Sequence, residues 1–158
     1  MEPKALQQYL HDHIPLSAAM QVEVLAVNEE GVTLKAPLGP NINHRDTVFG
    51  GSASALAILA GWSLVHSRLR ELGIESRVVI QKNTMHHDLP VPGEFSARSF
   101  VDGKERWARF LRALERKGRA RVVVSATLEH GGAVVGRFSG QFVALDGWST
   151  EATGGGSG

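Results

Sequence analysis

The sequence predicts an α+β fold, with an antiparallel sheet of about five to six strands wrapped around a long central helix. Three observations carry that expectation. The stretch from Thr47 to Ser67 holds no Asp, Glu, Lys or Arg, and its apolar residues point to every side of a helical wheel, which marks a buried helix. The segments around it alternate apolar and polar residues with the period of half-buried strands. Gly, Pro, Asn and Asp punctuate those segments where turns between strands are needed.

Each element follows from its own pattern. Residues 3–14 form an amphipathic helix with Leu6, Leu10 and Ile14 on one face, and Pro15 ends it. Val22 to Val27 and Val32 to Ala36 make a hairpin over the turn Asn28-Glu29-Glu30-Gly31. Pro37 and Pro40 open a polar loop that runs into Gly50-Gly51 and the central helix, which ends near Gly73. Strands follow at Arg77–His87 and Phe95–Val101, separated by Pro90 and Pro92, which cannot donate to a sheet. Asp102-Gly103 turns the chain into a helix at Lys104–Lys117. There Trp107, Phe110, Leu111 and Leu114 share one face, and Gly118 stops it. The last strands, Arg121–His130 and Ala133–Leu145, join at Gly131-Gly132. Val122, Val124, Ala126 and Leu128 point one way, as do Phe138, Phe142 and Ala144 in the partner strand. The free sheet edges suit pairing with a second copy.

With 158 residues the chain has the length for one cored domain, placed at 1–147, and the Gly-rich end at 148–158 reads as a flexible linker or cloning remnant. A formal net charge of +1 gives no general attraction to nucleic acid or membrane. The absence of cysteine excludes disulfides, thiolate catalysis and Cys-ligated zinc. Together with an N-terminus lacking a signal-peptide core, it predicts a cytoplasmic protein. The charge-free run is long enough to span a bilayer. However, Thr47, Ser52, Ser54, Ser63, His66 and Ser67 within it favour a core helix. No cofactor and no metal are expected: His86 with Asp88, or His11 with His13, supply too few ligands.

The chemistry centres on the start of the central helix. Its free N–H groups attract negative charge, and Gly50 and Gly51 let other groups approach the backbone. His44 is the first candidate base, since imidazole titrates near neutrality, although a loop histidine bonded to backbone is its ordinary alternative. Asp46 could orient His44, act itself, or charge-stabilise the helix start. Ser54, one turn beyond Gly50, could hold a water or ease close packing. In His86-His87-Asp88, neighbouring strand residues face opposite ways, so the first and third share a face. From Lys104 to Arg121 there are eight basic and two acidic residues. Arg109, Arg112 and Arg116 form a stripe that is either a solvated face or a phosphate-binding one. Few aromatics accompany it, which speaks against nucleic acid.

This order of elements, with an Asn–His…Thr-x-x-Gly-Gly loop opening a buried helix, resembles the hotdog-fold thioesterases. Within them it is most similar to a group of bacterial thioesterase domains. The matching stretches are His11 to Met20, Pro37 to Ser52 (PLGPNINHRDTVFGGS), Ala57 to Trp62, Val79 to Gln81 and Arg137 to Leu145. The resemblance implies hydrolysis of an acyl thioester on coenzyme A or acyl carrier protein. It also implies a homodimer, further paired into tetramers in many members, with active sites at the subunit interface. The carbonyl-polarising backbone N–H falls on Gly50, with Gly51 beside it. The water- or thioester-placing Asn falls on Asn43. The acyl tail would lie near Ser54 and Ile58, and Arg109 and Arg112 would meet the carrier's phosphates. One departure stands out: the carboxylate that one branch carries in the second turn of the helix is Ile58 here. It keeps open a non-hydrolytic dimer that binds an acyl or other apolar ligand; a hydratase or dehydratase on the same fold is a further alternative.

Overall fold

The structure, a computed structural model, describes residues 1–146, so the tail expected at 148–158 lies outside the described residues. The chain opens with helix α1 (Pro3–His13), which buries Leu6 and Leu10. The Val24 backbone N–H donates to Gln7 Oε1 at 3.0 Å, and His11 Nε2 donates to the Val22 carbonyl at 2.8 Å, tying the helix to the first strand. Pro15 ends α1 as expected, but it also begins a second short helix, α2 (Pro15–Ala19). Proline suits a first helical position because its missing N–H has no partner there anyway.

Six strands then form one antiparallel sheet: β1 (Glu23–Val27), β2 (Val32–Ala36), β3 (Ser76–His87), β4 (Phe95–Phe100), β5 (Arg119–His130) and β6 (Ala133–Asp146), in spatial order β1-β2-β4-β5-β6-β3. The central helix α3 (Gly50–Glu71) lies across one face. Val122, Val124, Ala126 and Leu128 are buried beneath it with Phe138, Phe142 and Ala144, on the sides the alternation predicted. Gly61 permits the close approach: a Cβ there would lie 2.8 Å from Phe142 Cζ. The Ser99 hydroxyl donates to the Ala60 carbonyl at 2.8 Å, pinning α3 to β4 through a buried hydrogen bond. No helix among the described residues is long and apolar enough to cross a membrane.

Between β4 and β5 the chain forms α4 (Lys104–Lys117). Phe110 and Leu114 are buried, and Gly118 takes the left-handed conformation (φ 71°) that closes the helix, its N–H donating to the Leu114 carbonyl. Trp107 carries the Arg68 guanidinium 5.1 Å above its ring, linking α4 to the far end of α3. Strand β3 occupies the sheet edge. It carries one irregularity, a bulge at Gln81, where the pairing jumps from Ile80↔Phe142 to Lys82↔Gln141.

Candidate active site

The loop leading to α3 is closed by a bridge between Ile42 and Val48. Within it Asn43 acts as a staple. Its Oδ1 accepts the Arg45 and Thr47 backbone N–H groups at 2.8 and 3.2 Å, and its Nδ2 donates to Thr47 Oγ1 at 3.0 Å. Asp46 sits in the left-handed region (φ 62°), a conformation that short polar side chains tolerate in turns. Asn41 is buried and donates to the Met20 and Pro37 carbonyls at 3.0 and 2.8 Å. The Phe49 N–H donates to the Asn41 carbonyl, and the Val48 N–H to that of Val91. These bonds hold the helix entry in place.

The helix start itself is bare. Phe49 stands at the N-cap position, no side chain caps the helix, and no acidic residue lies in its first turn. The first-turn N–H groups at the positive end of the helix dipole therefore have no side-chain cap. The Phe49 ring, 57% exposed, lies against Gly51, where a Cβ would come within 2.4 Å of the ring.

A cavity of about 270 Å3 adjoins this start, lined by Gly50, Ala53, Met85, His87, Asp88 and neighbouring apolar residues. The His87 ring is the closest titratable group: a Cβ on Gly50 would lie 3.6 Å from His87 Cε1 and 3.8 Å from Nε2. The bulge at Gln81 explains why His87, and not His86, reaches it. Before the bulge Val78 and Ile80 pair with Ala144 and Phe142 of the inner face. After it the inner partners Phe138 and Gly136 fall opposite Met85 and His87. One inserted residue inverts the parity of the strand. His86 thus stands opposite the exposed Arg137. Asp88 leaves the strand and pairs with Arg137 at 3.0 and 3.3 Å, and this hydrogen bond holds its carboxyl below the usual carboxylate range.

The other expected site residues divide. Gly50 and Gly51 stand at the helix start, and Ser54 and Ile58 follow on a half-buried stripe of α3 that runs on to Trp62 and His66. Asn43, His44 and Asp46 do not line the cavity. The Asn43 amide is committed to its own loop, as above. His44 is exposed and accepts a long (3.4 Å) hydrogen bond from Arg45 Nε. Arg109 and Arg112 lie on α4, beside the opposite end of β5 from Leu128, which lines the cavity. The distance from Val123 to Leu128 along that strand is about 17 Å at about 3.3 Å per residue. No group of three or more metal-ligating side chains occurs among the described residues.

A family model described as "Putative thioesterase (yiiD_Cterm)" matches residues 3–146. The chain is 32% identical to a solved protein of unknown function from Chlorobaculum tepidum, with a TM-score of 0.84 over 91% of this chain and 94% of that one. It is 27% identical to a structure described as a putative thioesterase from Shewanella oneidensis, with a TM-score of 0.81 over 90% and 96%. A thioesterase from Haemophilus influenzae shares the fold at 15% identity, with a TM-score of 0.73 over 95% and 94%. The architecture is the hotdog fold of these neighbours.

Proposed function

The chain belongs to the family described as "Putative thioesterase (yiiD_Cterm)", and from that membership we propose that it hydrolyses an acyl thioester carried by coenzyme A or acyl carrier protein. The observation that carries the mechanism is the His87 ring beside an uncapped helix start at Gly50. The thioester carbonyl oxygen accepts the Gly50 N–H, assisted by Gly51, so that negative charge develops at the positive end of α3. His87 takes a proton from a water as its oxygen bonds to the carbonyl carbon. The tetrahedral intermediate then collapses, the C–S bond breaks, and the imidazolium returns its proton to the departing thiolate. A thiol and a carboxylic acid result, and the acid releases its proton to solvent as a carboxylate. The acyl tail lies along α3 past Ser54 and Ile58. Asn43 acts through the shape of the entry loop, and Asp46 through its turn.

The chain works as a homodimer in this proposal. Its support is β3, an edge strand of twelve residues whose outer side no strand among the described residues covers.

Thiol release from a panel of acyl-CoAs tests the proposal. His87→Ala should lower kcat/KM by about 10²- to 10⁴-fold, the usual worth of a general base, while His44→Ala stays within a few-fold. The reverse ranking would remove His87 from the role. Ile58, half-buried where a carboxylate is usual in one branch, favours a second reading, an acyl-binding protein without turnover. Saturable acyl-CoA binding without thiol release from acyl-CoA or acyl carrier protein would establish it.

A further inference from the structure

The largest cavity among the described pockets is not the one at Gly50. It is a groove of about 730 Å3 between α4 and the β5–β6 end of the sheet. Arg106, Arg109 and Lys117 line it from the helix, and Arg119 and Arg121 from the strand. No acidic residue lines it. Among the described residues none of these five cations has an ion-pair partner. Five solvent-exposed cations around one volume, with no acidic residue in its lining, favour a bound anion.

Three features narrow the occupant. The cations stand in two banks, three on α4 and two on β5, so an occupant with several anionic oxygens can meet both. Arg119 and Arg121 project from the same face of β5 about 7 Å apart, from the two-residue repeat of a strand. Four of the five are arginines, whose forked guanidinium suits phosphate oxygens. The floor is apolar, with Phe110, Val123, Val143 and Leu145. Its volume falls in the range of about 300–1,000 Å3 typical of small-molecule pockets. We propose that this groove binds a phosphorylated nucleotide, with its phosphates between the two banks of cations and its base or apolar arm on the floor.

The site is distinct from the one at Gly50. It lies at the other end of β5, and the exposed Arg119 and Arg121 alternate with the buried Ala120 and Val122, so their side chains leave the strand on the face away from the core. The proposal therefore stands whether or not the hydrolytic one does. It also separates Arg109 from Arg112 and Arg116, which are exposed on the same helix but do not line the groove.

Titration calorimetry of the full chain at low salt with ADP, coenzyme A and inorganic pyrophosphate tests this. Saturable binding of ADP or coenzyme A is expected, with pyrophosphate weaker for want of the floor contact. Similar affinities would identify the free nucleotide as the natural source, and much tighter binding of coenzyme A would identify the carrier. Arg109→Gln with Arg121→Gln should weaken binding at least about tenfold by removing a charge-assisted contact from each bank. Arg112→Gln with Arg116→Gln removes the same net charge, and should change it by no more than about twofold because only screened long-range attraction is lost. Lys117→Glu is a second groove variant, and matching melting temperatures confirm that each protein is folded. Equal weakening by the two double variants, or no saturable binding of any probe, would overturn the assignment.

Discussion

His66 shows how a single residue couples packing to pH. It stacks on Tyr9 and Trp62 with centroids 4.6 and 4.5 Å away, and its Nε2 is buried without a hydrogen-bond partner. Burial, then the charges of Arg70 and His13, lower its pKa from 6.5 to about 4. The folded state resists the proton that the unfolded state accepts. Its contribution to stability is therefore complete above the ordinary value of 6.5 and is lost as pH falls toward 4. Discounted for solvent screening of a half-buried ring, the loss is on the order of 1 kcal/mol. His66→Phe keeps the stack and removes the titration. Urea denaturation should find the variant's advantage larger at pH about 4.5 than at about 7.5 by that amount. The same advantage at both pH values would mean that His66 contributes nothing to acid sensitivity.

At the scale of elements, two turn glycines that look alike in sequence do different work. A Cβ on Gly31, in the β1–β2 turn, would lie 1.8 Å from the Ser99 carbonyl oxygen of β4, a backbone atom that cannot step aside. Gly73, after α3, faces open space and needs glycine only for its left-handed backbone (φ 72°). Gly31→Ala should cost about 3 kcal/mol or more through overpacking, or prevent folding. Gly73→Ala should cost roughly 1 kcal/mol, the backbone penalty alone. Equilibrium denaturation ranks them, and equal costs would contradict the packing of the turn against β4.

For the whole molecule, the exposed edge of β3 is the feature with the widest consequence. The bulge residue Gln81 has no register partner in β6, so proline there disturbs the β3–β6 ladder least, while its ring and missing N–H obstruct a strand arriving from outside. Sedimentation velocity should find the parent chain dimeric and Gln81→Pro shifted toward monomer with its fold retained. A parent chain that sediments as a monomer would remove the dimer from the proposed function.

What the sequence determined by itself is what local periodicity encodes. The hydrophobic pattern located the central helix, the succession of strands along the chain and the residues beneath α3, and Gly118 marked the end of α4 as the structure has it. Gly50, Gly51, Ser54 and Ile58 could be read as lying along a helix start because they sit in one continuous helix. Only the tertiary structure decided which histidine meets Gly50. Strict alternation cannot say which face of β3 turns inward at His86-His87, because the bulge at Gln81 exists only in the pairing with β6. Nor could it foresee that Asn43 spends its amide on its own loop, or that Arg109 enters a groove that Arg112 does not. Those outcomes depend on register and on contacts between residues far apart in the chain, which no local pattern specifies.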